Sequence, residues 1–242
     1  MPWTNVRPKL LVGVLFAILV GLQTVSGNPD ASAAPPQAMA AEKPLLIMID
    51  PAHGGSDPGA LLTASTTEKD ITLNVARRLK LELNARGIPS QLVREGDLTL
   101  TADQRAGMAN AGDPALYIAL HASSLGKGMR VFTALVPGSG DDKGPFLDWD
   151  RAQSATLARS KALQAQLVAA VQKTRFPTQA SSASVRPLNN LRSPALAVEI
   201  SPTTGDVAQV SAQGYQQMIC AALANALASL APSLRPNPGA RR

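Results

Sequence analysis

The chain has two histidines, His53 and His121, and each stands where an apolar run gives out. His53 follows "PLLIMID" in the turn "IDPAHGGSDPGA", and His121 lies in "ALYIALHAS". A turn of this kind needs Gly, Pro and Asp but not an imidazole. Two carboxylates are placed in the same way: Glu68 opens "TEKDITLNVARRLKLELNARG", and Glu199 ends the apolar part of "SPALAVEIS". Two imidazoles and a carboxylate form a three-ligand set for catalytic zinc, with water in the fourth position. A fourth group able to move protons is what such a site then needs, and Glu199 is the spare carboxylate. Glu68 lies 15 residues after His53 and His121 a further 53, which is not the close spacing of a helical zinc motif.

Each residue also has an ordinary role open to it. His53 could hydrogen-bond its own turn, His121 could be a satisfied core histidine, and Glu68 could complement a helix dipole. Glu199 is the hardest to explain in this way, because a carboxylate after "ALAV" is costly to bury without a partner. What favours a shared site is that all four fall at one edge of the expected fold. Asp57, in the same turn as His53, is either plain turn chemistry or a group that orients the imidazole from behind.

The elements that must position these residues follow from periodicity. "PLLIMID", "IPSQLVR", "ALYIALHAS", "RVFTALV" and "SPALAVEIS" read as strands, several of them buried on both faces. Between them, Ile71, Val75, Leu79 and Leu83 recur every four residues and make one apolar helix face. Thr67 with Asp70 fits a capping box, and Gly87 fits the helix stop. Thr101 begins a second helix, "TADQRAGMANAG". A long helix runs through "SATLARSKALQAQLVAAVQK", and a Ser-rich loop leads to the last strand. A final helix, "DVAQVSAQGYQQMICAALANALASLA", has Ile219, Leu223, Leu227 and Leu230 on its core side. Alternating strands and helices predict a single α/β domain with a mixed, mostly parallel sheet flanked by helices on both faces. The short link between "ALYIALHAS" and "RVFTALV" allows an antiparallel member. His53, Glu68, His121 and Glu199 then gather at the carboxyl edge, where open α/β sheets bind ligands.

The remainder of the chain bounds the setting. Residues 1–27 combine Arg7 and Lys9 with the short apolar run "LLVGVLFAILVGL" and a small-residue "VSG", which reads as a secretory signal. That run is short for a membrane span, which takes ~20 residues, so no stable span is expected after processing; an uncleaved anchor is the other reading. Residues 28–43 are an Ala- and Pro-rich tether, 44–231 the catalytic domain, and 232–242 a disordered tail. The 242-residue chain has a formal net charge of +6, but its basic residues are scattered. Nucleic-acid binding, which uses a clustered patch, is therefore not expected. A mild positive balance is either a plain solvated surface or one suited to an anionic polymer such as a cell wall. Cys220 is the only cysteine, so an internal disulfide is excluded. Its helical setting marks it as a packed thiol rather than a nucleophile.

From about Pro44 to Ala231 the chain resembles the zinc-dependent N-acetylmuramoyl-L-alanine amidases of the type 3 family, bacterial cell-wall hydrolases. The resemblance rests on "IDPAHGGSDPGA", the helix that Glu68 opens, the Arg94 to Asn110 stretch, "ALYIALHAS" and "SPALAVEIS". It implies a sheet of about six strands and one Zn2+ per chain held by His53, Glu68 and His121. It also implies Glu199 as the catalytic carboxylate, peptidoglycan as the polymer bound, and an exported location in the periplasm or cell envelope. The resemblance assigns no regulator. Four departures fall on the rim: Ala52 where the family has Gly, Ser123 for Asn, Arg130 for a frequent Glu, and Ser201–Pro202 in an altered continuation after Glu199. They leave two other expectations open, a zinc peptidase acting on other peptides and a weakened wall-binding protein.

Overall fold

A computed structural model describes residues 45–136 and 149–235. The expected leader at 1–27, the tether at 28–43 and most of the loop at 137–150 lie outside the described residues. In chain order the elements are β1 (Ile47–Pro51), the small hairpin β2 (Leu61–Thr63) and β3 (Thr66–Thr67), α1 (Glu68–Ala85), β4 (Ser90–Leu92), α2 (Ala102–Gly112), β5 (Leu116–Ala122), β6 (Met129–Ala134), α3 (Leu157–Gln172), β7 (Thr178–Ala183), β8 (Ala195–Ile200) and α4 (Gln213–Leu234). Six strands form one sheet in the order β4-β1-β5-β8-β6-β7. All neighbours are parallel except β6 and β8, which run antiparallel.

The apolar periods decide which face each helix covers. Ile71, Val75, Leu79 and Leu83 of α1 are fully or almost fully buried, as are Ile219, Leu223, Leu227 and Leu230 of α4. With α3 they cover the sheet face made by Ile47, Ile49, Ile118, Leu120, Val131 and Val198. The opposite face is thinner. There Met48, Tyr117, Ala119 and Ala197 meet Ala106 and Ala109 of α2 with Leu188 and Leu191. The residues of β5 and β8 alternate between the two faces, which puts His121 and Glu199 on the thin side, above the small side chains of Ala119 and Ala197.

Helix ends agree with the sequence at two places and differ at two. Thr101 and Gln104 form a reciprocal capping box at α2. Gly87, with φ 70°, closes α1, and Ile88 N–H reaches back to the Leu83 carbonyl, a Schellman arrangement. The expected box at α1 is different: the Thr67 hydroxyl donates to the Asp70 carboxylate, and neither side chain caps the backbone. The final helix is interrupted as well. A 3-10 turn at Val207–Ser211 precedes α4, which continues through Pro232 to Leu234, past the expected start of the tail at 232. Leu234 is buried, and that contact explains the extra residues.

The Ser-rich stretch read as a loop contains a strand. β7, "TQASSA", pairs in parallel with β6 from Met129↔Thr178 to Ala134↔Ala183. It is one of the sheet's two edge strands and mostly exposed, so it needs no apolar alternation. Cys220 is buried, and burial pushes its thiol pKa up to about 12, in keeping with a packed, inert thiol.

Candidate metal centre

The turn after β1 is shaped to present one imidazole. His53 adopts φ 63°, a left-handed backbone that is uncommon for a bulky residue. Two reciprocal hydrogen bonds, Gly54 N–H to Asp57 O at 2.8 Å and Asp57 N–H to Gly54 O at 3.1 Å, close the turn. Asp57 Oδ2 lies 2.8 Å from His53 Nδ1. With Nδ1–H donating to that carboxylate, Nε2 faces the opposite way with its lone pair. Nε2 lies 3.1 Å from Glu68 Oε2. The Glu68 contact raises the His53 pKa, burial opposes it, and Asp57 adds to the rise.

Glu68, at the first turn of α1, joins both imidazoles. Its Oε1 lies 2.9 Å from His121 Nδ1 and accepts Ala122 N–H at 3.2 Å. Its Oε2 accepts Ala60 N–H at 3.0 Å. Burial alone would raise this carboxyl, but its contacts with the His121 and His53 rings and the Ala60 N–H outweigh it and hold the group well below the usual carboxylate range. One donor atom each from His53, Glu68 and His121 lie within 4.8 Å of one another. The rings meet edge to face with centroids 5.6 Å apart.

The donor set fits zinc. Two imidazole nitrogens and one carboxylate are ligands zinc takes, and each ring nitrogen already lies 2.9 Å or 3.1 Å from an oxygen of the same carboxylate. Gly59 makes this packing possible. At φ +65°, a Cβ there would lie 2.6 Å from His53 Cδ2 and 2.8 Å from both Glu68 Cβ and Oε2.

Below the turn lies a charged layer that periodicity does not reveal. Asp50, 1% exposed, pairs with Arg105, 5% exposed, and accepts the Tyr117 hydroxyl. Arg105 also donates to His53 O at 2.6 Å, Pro51 O at 3.0 Å and Leu100 O at 3.2 Å. Arg94 is buried among the carbonyls of Pro51, Ala52, Lys69 and Gly96. Two arginines therefore hold the backbone from Pro51 to His53. The only sequence signal for them was Asp50 itself, an acid closing a buried strand and needing a cation.

Glu199 stands beside the cluster rather than within it. It is the register partner of His121 on β5 and of Arg130 on β6, so the three side chains form a row across adjacent strands. Arg130 Nε donates to Glu199 Oε1 at 2.9 Å, and Nη2 donates to the same oxygen. A cavity of about 130 Å³ opens beside His53 and His121, with Ala119, Arg105 and Arg186 among its walls.

Fold and cluster together define the class: an α/β domain with a candidate metal centre at the open edge of its sheet. Residues 47–229 match the family described as N-acetylmuramoyl-L-alanine amidase. The chain belongs to this family, the type 3 amidases. It is 28% identical over 146 residues to the N-acetylmuramoyl-L-alanine amidase AmiC of Neisseria meningitidis serogroup B, covering 55% of this chain and 35% of that protein. It is 33% identical over 98 residues to AmiC of Escherichia coli O6:H1, covering 40% of this chain and 24% of that one. The chain thus spans about a third or less of the length of these two relatives. The fold resembles that of AmiC2 of Nostoc punctiforme, with a TM-score of 0.60 at 20% identity, covering 78% of this chain and 97% of that one. It also resembles the catalytic domain of CwlV from Bacillus (Paenibacillus) polymyxa var. colistinus, with a TM-score of 0.61 at 18% identity, covering 76% and 97%.

Proposed function

We propose that this chain is a zinc-dependent N-acetylmuramoyl-L-alanine amidase that cleaves the amide between the lactyl group of N-acetylmuramic acid and L-alanine in peptidoglycan. In this reading His53, Glu68 and His121 hold the ion, Glu199 moves the proton, and Asp57 fixes the tautomer of His53. The catalytic domain is residues 44–231 together with the end of α4, and the leader directs it to the periplasm or cell envelope. The observation that carries the reading is the convergence of three donor atoms within 4.8 Å, in a chain whose family acts on this bond. The cavity that His53 and His121 both line supports it as room for a substrate group beside the two imidazoles.

When bound, zinc supplies Lewis acidity, polarising the scissile carbonyl and lowering the pKa of water toward ~7. The chain's own residues do the rest. Glu199 takes a proton from the attacking water and delivers it to the departing amine of L-alanine. Asp57, accepting from Nδ1, keeps the Nε2 lone pair of His53 aimed inward. Arg94 and Arg105 hold the backbone that carries His53, so the donors are set before substrate arrives.

The direct test is mass spectrometry of purified peptidoglycan after digestion. The expected product is stem peptide with a free L-alanine amino terminus; a chelator abolishes it and added zinc restores it. Chelator-insensitive hydrolysis would remove the ligand assignment. Cleavage only at other peptide bonds would make the chain a peptidase.

Gly59→Ala tests the cradle separately. The added methyl must displace either the His53 ring or the Glu68 carboxylate, and zinc affinity is expected to fall ~10–100-fold, the range seen when ligand orientation is disturbed. Competition with a chromophoric chelator measures it. Unchanged affinity would mean that this ring and this carboxylate do not hold the ion.

A further inference from the structure

We infer that Arg130 is a positioning residue for Glu199, holding one carboxylate oxygen so that the other is presented to the reacting atoms. The inference rests on the amidase reading above, in which Glu199 carries the proton. Three polar contacts to the Glu199 side chain are present among the described residues, from Arg130 Nε at 2.9 Å, from Arg130 Nη2 and from Ser201 Oγ at 3.5 Å, and all three fall on Oε1. Oε2 has none. Ser201 is the lesser partner, because its single hydroxyl proton has a shorter acceptor in the Leu125 carbonyl at 2.8 Å. Arg130 therefore sets the carboxylate's orientation.

The sheet makes this contact reproducible. Arg130 is the register partner of Glu199, which is the register partner of His121, so cation, base and proposed ligand stand in one row on one face. β6 runs antiparallel to β8, which brings the beginning of β6 to the edge where β8 ends. The guanidinium carbon also lies 5.6 Å from the centre of the Phe132 ring, two residues on and on the same face, which restricts its rotation. A guanidinium offers a rigid planar fork and stays charged throughout the working pH range. Lysine would preserve the charge but not the fork.

A proton acceptor must lie within hydrogen-bond reach of the proton it takes, and small misplacement of a catalytic group costs on the order of 10²-fold in rate. The expected effect of Arg130→Met is thus a fall of about 10²-fold in kcat on a soluble muramoyl peptide, with KM and bound zinc unchanged. Arg130→Lys, or methylguanidinium added to Arg130→Met, is expected to recover part of the loss. Melting temperature and metal content establish that each variant is folded and loaded. A higher KM with unchanged kcat would make Arg130 a substrate contact and overturn the inference, as would wild-type kinetics in Arg130→Met. Glu199→Gln run in parallel separates the two levels: if it too is fully active, the role of Glu199 fails, whereas if it is inactive while Arg130→Met is not, only the role of Arg130 fails.

Discussion

Glu199→Gln is expected to lower kcat on muramoyl peptides by ~10²–10⁴-fold, the usual contribution of a positioned acid–base group, while zinc stoichiometry stays at the wild-type level. The two halves of this result come from different parts of the geometry. Glu199 is outside the group of donors that lie within 4.8 Å of one another, so its replacement leaves that group intact. The glutamine carbonyl can still accept from Arg130, as Glu199 Oε1 does, so the side chain keeps its place and loses only its charge and proton affinity. Alanine would lose the anchor as well and confuse the two effects. Product formation by liquid chromatography and metal content by elemental analysis are the measurements. Loss of zinc together with activity would make Glu199 a ligand, and retention of activity would falsify its assignment as the base.

The second large effect is on stability. Arg105→Met is expected to destabilise the fold by ~3–5 kcal/mol, the cost of leaving one half of a buried ion pair uncompensated. For a domain of this size that corresponds to a fall in Tm of roughly 6–20 °C, measured by calorimetry. Asp50 is 1% exposed, and in the variant its remaining side-chain partner is the Tyr117 hydroxyl. The carbonyls of Pro51, His53 and Leu100 lose a donor at the same time. A double variant, Asp50→Asn with Arg105→Met, apportions the loss. Removing the stranded charge is expected to recover part of the stability, while the lost donors to the His53 and Leu100 carbonyls keep the protein below wild type. A double variant no more stable than the single one would place the whole cost in those carbonyls.

What could be read in advance follows the physics of burial. β1, β5 and β8 are buried on both faces, and apolar runs announced them. α1 and α4 turn one apolar side to the sheet, and a period near four announced them. Because such runs end at the carboxyl edge, His53, His121 and Glu199 could be placed together without any contact being known. β7 could not be found in this way. Thr178–Ala183 lies mostly in solvent, so hydrophobicity had nothing to report; its order comes from a backbone ladder to β6, which composition does not encode. Arg94 and Arg105 were hidden for the opposite reason. An arginine in a polar stretch reads as a surface charge, and only the fold brings Arg105 to Asp50, 55 residues earlier in the chain. Gly59 was visible as turn chemistry, but the need for a bare Cα arises from the His53 ring and the Glu68 carboxylate packing on it.

The reversed direction of β6 has a consequence for how such a protein can change. The parallel strands arrive at the open edge already committed to their cargo, His53 just past β1 and His121 and Glu199 at the tips of β5 and β8. β6 instead sets out from that edge, fed by the short connection 123–128, and carries neither imidazole. The proposed grip on the ion and the local surroundings of the acid thus fall on separate lengths of polypeptide, so that one could be retailored while the other is inherited intact.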